Sequence, residues 1–181
     1  MTRRLVVTGP ESTGKTTLAT ALGAHFGVPQ VGETARHYAE ARLAEGRALT
    51  AGDAEPIARA AIEAEDALLA ASPAMLVLDT DLISTVLYAR HYYGSSPAWM
   101  EEAARARRGD LYLLCDIDLP WFPDGVRDRP EQRDAMHALF RATLREFGCF
   151  VAPVGGSGGA RLDAALRAVA TSGRFALRGT P

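Results

Sequence analysis

Two kinds of segment alternate along this chain. Short uninterrupted apolar runs fall at Leu5–Thr8, Val28–Val31, Met75–Asp79, Leu111–Cys115 and Phe150–Val154. A strand covered on both faces reads this way, because neither side of its pleat meets water. Between the runs, apolar residues return every three or four positions, which predicts helices over Lys15–Phe26, Thr34–Ala44, Asp53–Ala70, Leu82–Tyr92, Pro97–Arg107, Pro130–Phe147 and Arg161–Ala170. In the sixth of these, Met136, Leu139, Phe140, Leu144 and Phe147 share one face. Ser96-Pro97 predicts an N-cap followed by proline at the first helical position, and Pro130 opens its helix in the same way. Strand and helix in alternation predict an α/β fold: a five-stranded, mainly parallel sheet with helices on both faces.

Between the first strand and the first helix stands Gly9-Pro-Glu11-Ser12-Thr13-Gly14-Lys15-Thr16, followed by Thr17. It fits G-x-x-x-x-G-K-[ST]. In that pattern backbone N–H groups wrap a phosphate, the lysine reaches the β- and γ-phosphates, and the hydroxyl of the last residue ligates Mg²⁺. Of the 20 lysines and arginines, Lys15 is the only lysine. Ammonium is a compact point charge and guanidinium a broad planar fork, so a lysine here in an arginine-using chain points to a demand for the small cation. The strand-loop-helix setting also aims a helix N-terminus, with its free N–H groups and positive dipole end, at the phosphates. The expectation is a P-loop NTPase with Gly9, Glu11, Ser12, Thr13, Gly14, Lys15, Thr16 and Thr17 around ATP. The alternative is a glycine-containing turn that matches by accident.

Length and charge narrow the class. The 181 residues suit one core, read as a domain over 1–170 with a C-terminal tail over 171–181. A net charge of −2 argues against a nucleic-acid or polybasic membrane surface. No apolar run approaches the roughly 20 residues of a membrane span, and the phosphate loop at residue 9 leaves no room for a leader, so a cytoplasmic protein is expected. The two cysteines, Cys115 and Cys149, sit in apolar runs and are expected to be buried and free. His25, His37, His91 and His137 show no metal-ligand spacing with them. Oligomeric state is not encoded in any of these features.

Acidic residues at strand ends carry the remaining chemistry. Asp79 closes the apolar run Met75–Asp79, as expected of a carboxylate that holds Mg²⁺ together with Thr16 beside the phosphate loop. Asp81 reads equally as a substrate ligand or as the cap of the following helix. Glu33 follows the second strand. It is read either as a base for a substrate hydroxyl, with Arg36 nearby, or as a first-turn acid paired with Arg36. Asp116 to Arg133 places Arg127, Arg129 and Arg133 among acids, the composition of a lid that closes over phosphates or of a solvated helix start. Tyr88, Tyr92, Tyr93 and Trp99 surround Gly94, and Trp121 with Phe122 lies in a second loop; Tyr92 and Trp121 are candidates to contact a flat ring, with core packing as the alternative. Gly155–Gly159 reads either as a turn or as a loop near a nucleotide base.

The ordered set Gly9–Thr16, Glu33-Thr-Ala-Arg36, Asp79-Thr-Asp81, Tyr93-Gly94, Asp110–Leu114 and Pro120-Trp121…Asp124-Gly-Val-Arg127 resembles the ribosylnicotinamide kinase domain of the bifunctional NAD-biosynthesis regulator proteins over about residues 4–170. The resemblance implies a nucleoside- or nucleotide-kinase-like fold with a lid. It also implies transfer of phosphate from ATP, with Mg²⁺, to the 5′-hydroxyl of nicotinamide riboside, giving nicotinamide mononucleotide. Lys15, Glu33, Arg127 and Arg129 would be catalytic; Glu33, Arg36, Asp81, Tyr92 and Trp121 would bind the nucleoside; Thr16 and Asp79 would hold the metal. Members of that family carry an upstream nucleotidyltransferase domain, so adenylation and DNA binding are not expected of this chain. Kinases of another nucleoside or small alcohol, and a regulatory ATPase or binding module, are the alternatives.

Overall fold

The computed structural model of the chain describes residues 1–121 and 132–175. The strands are β1 (Arg3–Thr8), β2 (Gln30–Val31), β3 (Met75–Asp79), β4 (Leu111–Cys115) and β5 (Val151–Val154). They form one parallel sheet in the order β2-β3-β1-β4-β5. The helices are α1 (Lys15–Phe26), α2 (Thr34–Ala44), α3 (Ala54–Leu69), α4 (Leu82–Tyr93), α5 (Ala98–Ala106), α6 (Arg133–Glu146) and α7 (Gly158–Thr171), with a 3-10 turn at Ala51–Asp53 before α3. Register sets Val7 beside Asp79 and Thr8 beside Leu114, so the loops after β1, β3 and β4 leave the same edge of the sheet. That edge carries the candidate chemistry.

Alternation along the strands divides the core in two. Val6, Leu76, Leu78, Tyr112 and Leu114 face one way, against α3, α4 and α6 through residues such as Ala58, Leu87 and Phe140. Leu5, Val7, Val77, Leu113 and Cys115 face the other way, against Leu18 and Leu22 of α1 and Ala165 and Val169 of α7. Since both faces are covered, the strands need apolar residues at successive positions, and every residue of β3 and β4 is buried.

Four boundaries differ from the sequence expectation for identifiable reasons. β2 is two residues long because the Val28 N–H closes the end of α1 by donating to the Gly23 carbonyl (3.0 Å), and Pro29 has no N–H to give. Pro97 occupies the N-cap of α5 in place of the first helical position, and the Ser96 hydroxyl donates instead to Glu101 at 2.6 Å. The glycine run is part turn and part helix, α7 starting at Gly158 after the N-cap Ser157. Beyond α7, Phe175 is 8% exposed and packs on the α1/α7 side of the core. The expected opening of the sixth helix at Pro130 lies outside the described residues. Both cysteines are free, Cys115 buried and Cys149 half-buried.

Candidate active site

The phosphate loop runs from Gly9 to the first turn of α1. Gly9 has φ 138°, and a Cβ there would stand 3.0 Å from the Cys115 carbonyl oxygen, so only glycine lets β1 and β4 pass at this point. Gly14, at φ 75°, turns the chain into α1 and accepts the Leu18 N–H at 3.0 Å. The Thr13 hydroxyl, fully buried, donates to the Pro10 carbonyl at 2.8 Å, and Lys15 Nζ donates to the same oxygen at 2.7 Å. Lys15 is 7% exposed. The ammonium is thus folded over the loop, held by one neutral carbonyl. Thr16 and Thr17 lie exposed on the first turn of α1, and the Tyr88 hydroxyl of α4 donates to Glu11 at 3.2 Å.

Asp79 at the end of β3 is 1% exposed, and neither carboxylate oxygen has a hydrogen-bond partner among the described residues. A buried carboxylate without protein donors costs several kcal/mol on the scale of polar transfer, which makes the group a candidate ligand for a cation. Burial pushes its pKa up. The Thr16 hydroxyl, close enough to lower it although outside regular hydrogen-bond geometry, opposes the rise, Glu33 adds to it, and Lys15 and Arg36 oppose it. The donor set, two hard carboxylate oxygens next to the hydroxyl-bearing Thr16, fits a hard divalent cation such as Mg²⁺. The next residue, Thr80, has φ 65°, a strained conformation for a β-branched side chain of the kind that collects at functional sites.

Asp81 resolves differently from its substrate-binding reading. Its Oδ1 accepts the Ile83 N–H (3.1 Å) and the Ser84 N–H (3.4 Å), capping α4, and its Oδ2 accepts the Tyr112 hydroxyl at 2.6 Å. The residue is half-buried as a whole, with its carboxyl turned inward. Desolvation pushes the pKa up to about 6, with the Tyr112, Ser84 and Ile83 hydrogen bonds opposing. Asp81 is thus a cap of α4; it borders a smaller pocket with Asp79 and Thr80 and does not line the neighbouring cleft that includes Glu33.

That cleft opens beside Thr80, the residue after Asp79, on the β3/β2 side. It is lined by Glu33 and Thr80, by Ile57, Tyr88, Tyr92 and Tyr93, and by Asp53. Glu33, 9% exposed, stands at the N-cap of α2 without capping it by its side chain. Tyr88 and Tyr92 stack in parallel with centroids 6.0 Å apart. Asp53 takes five donors: the Thr50 N–H and hydroxyl at 2.8 Å each, the Tyr38 hydroxyl at 2.9 Å, and two Arg42 nitrogens at 3.1 and 2.9 Å. Those bonds, the Thr50 pair first, hold its carboxyl well below the usual range and fix its place in the cleft lining. Arg36 does not line the cleft; it donates to Glu40 at 3.0 Å. Neither does Trp121, which is half-buried, while Trp99 packs under Arg59 with 4.7 Å between guanidinium and ring. Arg127 and Arg129 lie outside the described residues, as does Phe122. Arg133 donates to the Leu119 carbonyl (3.0 Å) and the Ser12 carbonyl (3.4 Å), tying α6 to the phosphate loop.

Sequence reasoning missed two groups of residues here. Asp53 appeared only as a helix start, and Arg161 only as a helix boundary, although Arg161 is 3% exposed and bonded to the phosphate loop. A capping-box spacing from Thr50 to Asp53 was available as a signal for the first. Nothing local signals the second.

A family model described as an AAA domain matches residues 4–161. The chain belongs to the AAA domain family. It is 28% identical over 147 residues to the trifunctional NAD biosynthesis/regulator protein NadR of Salmonella typhimurium, covering 80% of this chain and 36% of that protein. Against the Escherichia coli protein of the same name it is 28% identical over 152 residues, covering 80% and 37%. The chain therefore spans a little over a third of the length of these curated relatives. A crystal structure of NadR in complex with NAD and AMP-PNP superposes with a TM-score of 0.71 at 26% identity, and one in complex with NR with 0.72 at 27%; each covers 99% of this chain and 52% of the other. Thymidylate kinase from Ehrlichia chaffeensis superposes with 0.68 at 12% identity over 94% of the chain, a sharing of fold. The resemblance to the NAD-biosynthesis regulators holds over most of the chain, and its fold is that of the P-loop kinases.

Proposed function

We propose that this protein is a cytoplasmic kinase that transfers the γ-phosphoryl group of ATP, with Mg²⁺, to the 5′-hydroxyl of nicotinamide riboside. The observation that carries the reading is the convergence on one sheet edge of Lys15, the buried Asp79 carboxylate and an aromatic cleft lined by Glu33. Support for the acceptor comes from the NadR relatives and the NR complex.

Each residue has a defined task. Lys15 exchanges the Pro10 carbonyl for β- and γ-phosphate oxygens, a gain because an anion is a far stronger acceptor for ammonium than a neutral carbonyl. The backbone N–H groups of Gly9–Thr16 and the N-terminus of α1 add donors that need no reorganisation. Thr16 and Asp79 would hold Mg²⁺, which when bound neutralises charge on the phosphates. Glu33 accepts the proton of the attacking hydroxyl. Glu33 lines the cleft and Asp81 does not, so Glu33 is the proposed base of the two. The stacked Tyr88 and Tyr92 offer ring faces to the pyridinium cation of nicotinamide riboside, the part assigned from sequence to Trp121 as well, at about 0.5–2 kcal/mol for such a contact. Arg127 and Arg129 are proposed to clamp the phosphates as a lid closes.

Purified protein with ATP and Mg²⁺ is expected to convert nicotinamide riboside to its mononucleotide, detected by mass spectrometry, far faster than it phosphorylates uridine, cytidine or shikimate. Lys15→Ala should lower that rate by about 10²-fold or more while the protein stays folded. Phosphorylation of another acceptor in the absence of mononucleotide would reject the substrate and keep the kinase. ATP hydrolysis indifferent to every acceptor would favour a regulatory ATPase.

A further inference from the structure

Arg161 is the most deeply bonded cation of the described chain outside the mechanism. It lies in the first turn of α7, 3% exposed. Its Nε donates to the Gly156 carbonyl at 2.7 Å, its Nη1 to the Thr13 carbonyl at 2.8 Å, and its Nη2 to the Asp118 carboxylate and, at 3.5 Å, to the Asp116 carbonyl. The other Asp118 oxygen accepts the Gly156 N–H at 2.5 Å. One guanidinium therefore joins the loops that follow β1, β4 and β5. A planar fork of five donors can meet acceptors from three directions in this way, and an ammonium cannot.

Two consequences follow from geometry. Thr13 C=O and Gly14 N–H belong to one peptide unit, and in a trans peptide they point in opposite directions. Holding the carbonyl toward Arg161 turns the Gly14 N–H away from it, on the side of the phosphate cradle. In addition, the cleft with Glu33 occupies the β3/β2 side of the phosphate loop. If that cleft takes the acceptor, as proposed above, the β4/β5 side, with residues 116–118 and 155–157 held together by Arg161 and Asp118, is left for the nucleoside of a nucleotide whose phosphates sit in the loop.

We infer that Arg161 is a positioning residue that makes seating of the nucleobase and seating of the phosphates one event, by fixing the loop after β5 to the carbonyl face of the phosphate loop. This rests on the nucleotide-binding part of the proposed function and is independent of which acceptor is used. The coupling appears in how much tighter ATP binds than inorganic tripolyphosphate, which has phosphates but no base. A purely structural arginine would lower the melting temperature and leave that ratio alone.

Calorimetric titration of ATP and of tripolyphosphate, in Mg²⁺, into wild type, Arg161→Lys and Asp118→Ala tests it. Asp118 is 40% exposed at its side chain, so its alanine variant keeps the inference testable should Arg161→Lys fold poorly. Both variants should reduce the ATP-to-tripolyphosphate affinity ratio, by about 10-fold for Arg161→Lys, the worth of one charge-assisted hydrogen bond. In steady state the KM for ATP should rise while the KM for the acceptor moves less than twofold. An unchanged ratio in both variants overturns the inference while ATP binding by the wild type stands. A wild type that binds no ATP removes the nucleotide site and this inference with it, whereas ATP binding without phosphorylation of nicotinamide riboside removes only the acceptor.

Discussion

Asp79 and Lys15 are each kept in a state that folding alone does not favour. The aspartate is buried with two unpartnered oxygens, and the lysine ammonium spends its one described bond on a neutral carbonyl. Residues that lower stability in the free protein and gain partners only with ligand are the ordinary source of a trade-off between stability and activity. Asp79→Asn should therefore melt higher than wild type at neutral pH without nucleotide, since burial opposes the charged carboxyl and the amide carries no charge to desolvate. The rise should be several degrees, one kcal/mol being worth about 2–4 °C in a chain of this size. The same variant should lose the dependence of its rate on Mg²⁺ concentration. A thermal melt paired with a Mg²⁺ titration checks both, and a lower melting temperature with intact Mg²⁺ dependence would return Asp79 to a structural role. At this scale the strand-end position of Asp79 was readable from the apolar run Met75–Asp79, which is β3. The sequence was ambiguous for Asp81, whose second partner, the Tyr112 hydroxyl, lies 31 positions away.

Among the elements, α4 shows a cap acting as a pH-sensitive part. The Asp81 carboxyl titrates near 3.8 when unfolded and at about 6 when folded. Between those values the folded protein holds a proton that the unfolded chain has released, so this residue's contribution to stability is complete below 3.8 and declines as pH rises through about 6. Asparagine is as good an N-cap as aspartate, and the Tyr112 hydroxyl oxygen, which already accepts the Gly109 N–H, keeps a second lone pair for its amide. Asp81→Asn should accordingly flatten the melting temperature against pH between 4 and 6 and match or exceed wild type at pH 7. A slope equal to that of wild type would show that another group titrates there. The elements themselves were largely legible. Continuous apolar runs fixed β3 and β4, and the three- and four-residue spacing fixed α1 and α2 to the residue. Where reading failed, a local hydrogen bond overrode the pattern: the Val28 N–H committed to α1, the Ser96 hydroxyl to Glu101. The Arg161 clasp was illegible because its Thr13 partner is 148 residues away and each of its ends is an ordinary loop.

For the whole molecule, the order β2-β3-β1-β4-β5 separates two features: the cleft proposed for the acceptor falls on the β3/β2 side of the phosphate loop and the Arg161 clasp on the β4/β5 side. The two cores divide differently, one on each face of the sheet, and Phe175 closes the α1/α7 face although its segment reads from sequence as a tail. Truncating a buried phenylalanine costs about 3–5 kcal/mol, and the lower value suits a chain end whose surroundings can collapse. Phe175→Ala should then lower the melting temperature by about 6–12 °C at 2–4 °C per kcal/mol. Well below that temperature its KM values for ATP and acceptor should match those of wild type, because Phe175 touches neither cleft nor clasp and distant sites add independently. Differential scanning calorimetry with steady-state kinetics separates the two effects. A melting temperature within 1 °C of wild type would mean that residue 175 detaches in solution. A large loss of ATP affinity without loss of stability would instead make the end of α7 part of the nucleotide site.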